Sequence, residues 1–141
     1  MKIEFEYRGI NKVEYKTKYS AGADVISQIT TIIQRFETKV IPLGLFVVDF
    51  DFDHGDNWLP FIKLCPRSSL SRKGIICHDG TIDVDFHSRE IHAILTNCGE
   101  DAFLVNAGDR IAQIICLSCI RSHSFAIRNV AREGGFGSTG N

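Results

Sequence analysis

The sequence predicts an all-β domain, built as a β-sandwich, a jelly roll or a closed barrel. Apolar and polar residues alternate with a period of two along many short segments, as they do in strands with one buried face. Clusters of Gly, Asp, Asn and Pro separate these segments, and only one short segment has a helical character. With 141 residues and 44% hydrophobic content, the chain suits one domain with its own core.

Seven segments are predicted strands because they alternate or are rich in β-branched and aromatic residues. In chain order they are residues 2–8, 45–52, 58–64, 90–96, 102–105, 110–120 and 124–130. Residues 24–35 fit a strand by composition and a helix by length, and residues 68–73 have the pattern of one helical turn after a proline. Turns are predicted at residues 42–44, 53–57, 78–80, 97–101 and 106–109.

The end of the chain differs from the rest. Residues 1–130 are predicted to form the β-rich core, and residues 131–141 a flexible C-terminal arm. Four glycines surround Phe136, Ser138 and Thr139 in this arm, and glycine loses the most backbone freedom on ordering. Either the arm is a frayed terminus, or a ligand with a flat face and several oxygens orders it.

Composition limits the compartment and the partners that we expect. The net charge of −1 offers no bulk basic field for nucleic acid or a membrane, and no apolar run reaches about 18 residues. The first residues alternate and carry acids, unlike a secretory signal. Five cysteines, an odd number, predict reduced thiols in a cytoplasmic compartment. Cys116 and Cys119 would face opposite sides of a strand, so we expect the cysteines to be structural and buried.

Two segments carry residues suited to phosphate chemistry. In residues 66–74, serines after Pro66 could cap a short helix whose amides bind an anion, and Arg67 has the fork geometry that matches phosphate. A solvated basic loop fits the same residues. On the strand predicted after Gly80, Asp83 and Asp85 share a face, where a carboxylate could activate water. A solvent-facing pair of acids is the alternative.

Two further segments combine small residues with a polar side chain. Residues 107–113 form a glycine turn and then a strand with Arg110 and Gln113, and Asp109 could bond the turn backbone. Residues 21–25 hold Asp24, which could bind a cation such as Mg²⁺ through water. Each pattern also fits an ordinary turn.

Taken together, five segments resemble the motifs of the trimeric dUTPase family. They are residues 21–25 (AGADV), 66–74 (PRSSLSRKG), 80–86 (GTIDVDF), 107–114 (AGDRIAQI) and 132–140 (REGGFGSTG). The resemblance implies a jelly-roll-like dUTPase fold that forms a homotrimer with active sites shared between subunits and a flexible arm that closes over the nucleotide. It implies hydrolysis of dUTP to dUMP and pyrophosphate with Mg²⁺, which keeps uracil out of DNA and supplies dUMP for thymidylate synthesis. The setting implied is the cytoplasm, or a host's cytoplasm for a viral protein.

By this resemblance, Asp83 activates the water that attacks the α-phosphorus, and Phe86 lies under the deoxyribose. The hairpin that includes Cys77, Thr81 and Ile82 reads uracil through backbone groups. The phosphates are bound by Arg67, Ser68, Ser69 and Gln113, and Asp24 acts on the hydrated metal. In the arm, Phe136 stacks on uracil, while Arg132, Gly137, Ser138 and Thr139 close over the phosphates.

The sequence departs from the family pattern at several positions. Ser69 replaces a usual glycine, Ala23 replaces a common aromatic, and Arg132 lies one residue closer to Phe136 than is usual. Two alternatives therefore stay open: a non-catalytic, nucleotide-sensing binding module of the same fold, and a dCTP deaminase. The deaminase would need a catalytic glutamate, for which Glu90 is the nearby candidate, in the wrong context.

Overall fold

A computed structural model describes residues 2–52, 58–86 and 89–128. These residues form eleven strands and one short helix. The strands are β1 (Lys2–Tyr7), β2 (Glu14–Tyr15), β3 (Ala23–Ile26), β4 (Thr31–Ile33), β5 (Thr38–Asp51), β6 (Trp58–Cys65), β7 (Ile75–Cys77), β8 (Gly80–Asp83), β9 (Ile91–Asn97), β10 (Phe103–Val105) and β11 (Arg110–Ile120), and the helix is α1 (Ser68–Ser71). The all-β prediction is therefore confirmed.

Three antiparallel sheets make up the fold. One has four strands in the order β1-β5-β9-β7, another has five in the order β2-β3-β11-β6-β8, and β10 pairs with β4 in a small third sheet. The core cluster takes residues from both large sheets, with Ile41, Leu45 and Leu95 from the first and Ile62 and Ile114 from the second. Removing this apolar surface from water is the main stabilising term of the fold.

The turn predicted at residues 42–44 is wrong. Strand β5 continues through it, with a register irregularity against β9 between Pro42 and Leu45, and Gly44 has φ 69°. Pro42 has no N–H to give to a ladder, so a bulge lets the strand continue. The Gln28 amide nitrogen donates to the Leu43 carbonyl at 3.2 Å, and the Gln28 backbone N–H donates to the Pro42 carbonyl at 3.0 Å. Gln28 thus pairs the carbonyls of the bulge.

Other expectations are partly corrected. Residues 24–35 form two strands, β3 and β4, and no helix. Residues 124–128 are not in a strand, contrary to prediction, and residues 129 and 130 lie outside the described residues, as does the turn at 53–57. Cys98 and Cys116 are exposed rather than buried, whereas Cys65 and Cys77 are buried, and all five cysteines are free.

Candidate active site

Asp24 pairs with two arginines from distant parts of the chain. Its Oδ1 accepts a hydrogen bond from Arg67 Nε at 3.2 Å, and its Oδ2 lies 3.7 Å from Arg110 Nη1. Arg67 Nη1 also donates to the Arg110 carbonyl at 3.1 Å. Asp24 is only 8% exposed, so this charge is largely removed from water and the two guanidinium groups compensate it. We call Asp24, Arg67 and Arg110 the Asp24 cluster.

Gln113 lies beside the Asp24 cluster because of the sheet register. On β11 it pairs with Asp24 of β3 on one side and with Cys65 of β6 on the other. Its amide nitrogen donates to the Pro66 carbonyl at 2.9 Å. A Cβ at residue 22 would collide with Gln113 Oε1, so glycine at this position leaves space for the amide. Gln113 is thereby fixed at the start of the segment that leads to α1.

The turn before β11 is held by its own side chain and by a loop. Asp109 Oδ2 accepts from the Asn106 N–H at 2.8 Å, as predicted for a turn-forming aspartate. The Gly108 N–H donates to the Ser27 carbonyl at 2.7 Å, and the Ser27 N–H donates to the Asp109 carbonyl at 2.9 Å. These bonds fix where Arg110 leaves the turn.

A cleft of about 470 Å³ opens next to this turn. Arg67, Lys73 and Arg110 contribute positive charge to its wall, and Asp109 contributes the one acidic side chain among the lining residues. The complete lining is Arg67, Ser69, Leu70, Lys73, Phe103, Leu104, Gly108, Asp109, Arg110 and Ile111. With Asp24 behind the two arginines, three cations stand against two carboxylates, and the remaining positive charge favours an anionic ligand. Guanidinium groups also match the geometry of phosphate oxygens.

Helix α1 is shorter than the predicted turn. It covers four residues, followed by a hydrogen-bonded turn that reaches Gly74. Its N-cap is Arg67, without a side-chain cap, so the expectation that a serine caps this helix is wrong. Ser68 and Ser69 are exposed at the start of the helix, and Leu70 is buried beneath them. The buried leucine anchors the turn, which leaves both serines facing outward.

Strands β7 and β8 lie at the edges of the two large sheets. Strand β7 pairs with β9, β8 pairs with β6, and His78 and Asp79 connect them. The two strands do not pair with each other, so the prediction of a hydrogen-bonded hairpin here is wrong. We use the name edge hairpin for β7, β8 and this link. An edge strand keeps one side of its backbone unpaired within the sheet, where N–H and C=O groups can meet a ligand. Of the predicted base-reading residues, Thr81 is exposed, Ile82 is half-buried and Cys77 is buried.

Asp83 is exposed at the last position of β8. The strand ends there, and the Phe86 N–H donates to the Asp83 carbonyl at 3.0 Å. Asp85 therefore lies in a turn, and the prediction that a strand places Asp83 and Asp85 on one face is wrong. Phe86 is 7% exposed and belongs to the core cluster, so its position is fixed by packing.

Cys77 has the strongest change in acidity among these residues. Burial, with smaller contributions from the nearby Asp79 and Cys65, raises the pKa of its thiol to about 11. A thiol with so high a pKa stays protonated at neutral pH and is a poor nucleophile. Cys77 therefore contributes packing and backbone groups to the edge hairpin rather than a reactive sulfur.

Within one described chain, Asp83 on the edge hairpin lies far from Gln113 beside the Asp24 cluster. Gln113 pairs with Cys65 on β6, whereas Asp83 pairs with Phe61, four residues earlier on the same strand. At about 3.3 Å per residue this offset is roughly 13 Å along β6, and β6 also stands between β11 and β8. Asp83 and Gln113 of one chain are therefore too far apart to contact one phosphoryl group.

The described residues contain no group of three or more His, Cys, Asp and Glu side chains able to hold a metal ion. Asp24, the predicted metal residue, uses both of its oxygens in the pairs with Arg67 and Arg110. A carboxylate has about four acceptor sites, so each oxygen can still accept from a metal-bound water. Asp24 is therefore suited to contact the water shell of an ion that a ligand carries. It is not suited to coordinate a metal ion directly.

Sequence reasoning located most of these residues but missed how they pair. Arg67 and Asp24 are 43 positions apart, and no spacing rule connects them. Arg110 lines the cleft together with Lys73, and neither was among the predicted phosphate-binding residues. The five arm residues, Arg132, Phe136, Gly137, Ser138 and Thr139, lie outside the described residues. In the described part, no helix has the length and apolar character needed to cross a membrane.

Comparison with known proteins identifies consistent relatives. The sequence model of the dUTPase family matches residues 9–140. A deoxyuridine 5'-triphosphate nucleotidohydrolase of Rickettsia akari is 36% identical over 137 residues, which cover 90% of this chain and 86% of that protein. The dUTPase of Staphylococcus bacteriophage 80alpha, solved with dUPNHPP, has a TM-score of 0.75 at 19% identity and 99% coverage of both chains. A dUTPase of Staphylococcus aureus phage phi11, with a structural Mg(II) ion, has a TM-score of 0.73 at 17% identity, over 96% of this chain and 100% of that one.

Proposed function

Because this chain belongs to the dUTPase family, we propose that it hydrolyses dUTP to dUMP and pyrophosphate. The observation that carries the proposal is the cleft walled by Arg67, Lys73 and Arg110, which suits a polyanion. Gln113 and the exposed Ser68 and Ser69 lie at the same end of the five-stranded sheet and add donors for phosphate oxygens. Preorganised donors of this kind stabilise charge without reorganising during the reaction.

Asp83 is the proposed general base. Its carboxylate accepts a proton from the water that attacks the α-phosphorus, the new P–O bond forms, and the bond to the pyrophosphate oxygen breaks. In-line displacement needs the water held opposite the leaving group, so the position of Asp83 at the end of β8 matters as much as its basicity. Exposure at a strand end supports this role because the carboxylate can be reached by water.

The edge hairpin is the proposed base site. Uracil has two carbonyls and an N–H, which complement the alternating donors and acceptors of a strand edge. Backbone groups held in fixed positions reject a base with the wrong pattern, because buried polar groups would then stay unpaired. Phe86 is the proposed wall under the deoxyribose, and its burial supports a rigid surface there.

Magnesium is the proposed cofactor, carried by the triphosphate and contacted by Asp24 through water. Bound Mg²⁺ neutralises charge on phosphate oxygens. The residues of this chain do the remainder: Arg67 and Gln113 hold the phosphates, Asp24 holds Arg67, and Asp83 takes the proton. The free cysteines support a reducing compartment such as the cytoplasm.

A complete site requires a second chain under this proposal. One chain keeps Asp83 and Gln113 too far apart to act on the same phosphoryl group, so the hairpin of one subunit would complete the cleft of another. A homotrimer with closed symmetry supplies three equivalent sites of this kind. The arm, residues 131–141, is proposed to close over the nucleotide, with Phe136 on the base.

A hydrolysis assay with matched nucleotides tests the proposal. Purified protein with Mg²⁺ is expected to release pyrophosphate from dUTP and almost none from dTTP, dCTP or UTP. Deletion of residues 134–141 is expected to abolish turnover while the far-ultraviolet spectrum stays unchanged. Tight dUTP binding without turnover would instead favour a nucleotide-sensing module, and ammonia release from dCTP would favour a deaminase.

A further inference from the structure

We propose that His78 is a positioning residue for base recognition, because its ring ties the edge hairpin to the neighbouring strands through Thr96 and Thr38. This inference rests on the proposed function and adds a side chain to a site otherwise built from backbone groups. His78 is the first of the two residues that connect β7 and β8. It lies next to Cys77 and precedes the strand that ends at Asp83.

Three side chains form a continuous hydrogen-bond chain. His78 Nε2 lies 2.8 Å from Thr96 Oγ1, and Thr96 Oγ1 lies 2.7 Å from Thr38 Oγ1. Thr96 is on β9 and pairs in register with Thr38 of β5 and Ile76 of β7. The His78 backbone N–H also donates to the Ile94 carbonyl at 2.9 Å. His78 is therefore held to the four-stranded sheet by its main chain and by its ring.

The hydroxyl of Thr96 suits its central position in this chain. A hydroxyl donates one hydrogen bond and accepts others, so it can accept from the ring and donate to Thr38, or the reverse. Both directions keep all three groups paired, and linked hydrogen bonds strengthen one another. The brace therefore holds for either ring tautomer.

The edge hairpin has few other ties at this point. Strand β7 has three residues and β8 has four, and each pairs with a different sheet. His78 and Asp79 alone carry the chain from one sheet to the other. Any movement of this link shifts the β8 edge relative to Cys77, which changes the distance between the backbone groups proposed to read uracil. A brace at His78 fixes that distance.

The test compares His78→Leu with His78→Gln. Leucine removes the ring nitrogen, whereas the glutamine amide nitrogen can reach the same place. For His78→Leu we expect the KM for dUTP to rise about three- to tenfold, the range that loss of one net hydrogen bond gives, and the preference for dUTP over dCTP to fall by a similar factor. His78→Gln is expected to restore both values to within about twofold, since the bond is remade.

Thr96→Val provides an independent route to the same defect, because it removes the hydroxyl and keeps the shape. The double variant His78→Leu with Thr96→Val is expected to be no worse than either single variant, as for two groups that act through one interaction. His92→Leu is the matched control: it lies on β9 on the same face as Thr96, and its Nδ1 contacts the Glu90 carbonyl, two residues away. It is expected to leave the preference unchanged.

Calorimetric affinity for dUMP and dCMP separates this inference from the proposed function. If the wild-type protein releases no pyrophosphate yet prefers dUMP, and His78→Leu loses that preference, the hydrolase proposal fails and the brace stands. An active His78→Leu variant with wild-type KM and preference overturns the brace alone. A parallel loss for dUTP and dCTP that tracks a lowered melting temperature also overturns it, because the ring would then be only structural. Wild-type protein that releases no pyrophosphate from dUTP and binds neither monophosphate overturns both.

Discussion

The Asp24 cluster and the edge hairpin are built in opposite ways. In the cluster, β3, the segment before α1 and the start of β11 converge on one buried carboxylate, so its charges are paired before any ligand arrives. In the hairpin, two short edge strands present backbone and an exposed Asp83. The comparison teaches that the proposed phosphate site is held by side-chain pairing around a buried carboxylate, whereas the proposed base site depends on strand edges.

The largest expected effect is on turnover, at the exposed end of the hairpin. Asp83→Asn removes the proposed base, and general-base catalysis typically contributes about 10²–10⁴-fold, so kcat should fall within that range. The urea midpoint should change little, because Asp83 is exposed and polar contacts made in water contribute little to stability. Pyrophosphate release and equilibrium unfolding measure the two effects. A variant that loses dUTP binding or stability would assign Asp83 a structural role.

The next effect is on the pH dependence of stability, and it comes from Cys77 on the buried side of the edge hairpin. The Cys77 thiol keeps its proton in the folded state up to about pH 11, whereas an unfolded thiol ionises near 9.0. Between these values the unfolded state binds fewer protons, so stability should fall as pH rises, by about 2–3 kcal/mol in total. Urea unfolding of the wild-type protein and of Cys77→Ala at pH 8, 9.5 and 11 checks this.

The control is the difference in pH-dependent stability between the wild-type protein and Cys77→Ala. Lysines and tyrosines titrate in both, so only the part of the slope that Cys77→Ala removes belongs to the thiol. Parallel curves for the two proteins from pH 8 to 11 would contradict the buried-thiol account.

The cluster should respond differently from the hairpin. Asp24→Asn leaves two guanidinium groups without their carboxylate, and loss of charged hydrogen bonds at this buried position costs about 1–3 kcal/mol. Stability and dUTP affinity should therefore fall together, because Arg67 loses the partner that orients it. Urea unfolding and calorimetry measure both. An affinity loss with no change in the unfolding midpoint would show that the Asp24 carboxylate does not stabilise the fold through its pairs with Arg67 and Arg110.

The smallest effect tests how closely Gln113 is fitted. Gly22→Ala places a Cβ against Gln113 Oε1, so the amide must move and its bond to the Pro66 carbonyl weakens. A loss of about 1 kcal/mol in stability is expected from this hydrogen bond. Gly80→Ala is the stability control, because its Cβ would meet only Leu64 Cβ at an ordinary 3.5 Å. Equal losses of stability in both variants would contradict a close fit between residue 22 and the Gln113 side chain.

Local patterns in the sequence located most of the longer strands and the residues of the motifs, but not the short strands β2 and β7. Alternation along residues 110–120 and 58–64 placed β11 and β6 closely, because one buried face enforces a period of two. Continuation of β5 through Pro42 could not be foreseen, since Gln28, 14 residues earlier, pairs the bulge carbonyls. The pairing of Asp24 with Arg67 could not be foreseen either. It depends on the sheet order β3-β11-β6, which brings distant parts of the chain together.

Phe86 is both a core residue and the proposed wall under the deoxyribose. The same ring is proposed to shut out a ribose hydroxyl and is also part of the core cluster. A variant with a smaller residue at position 86, able to admit ribonucleotides, would lose about 3–5 kcal/mol of folding stability, as for other Phe-to-Ala changes in cores. A domain of this size has only about 5–15 kcal/mol in total. Variants with a relaxed sugar choice would therefore be poorly populated as folded protein, which links the proposed selectivity at this ring to the stability of the domain.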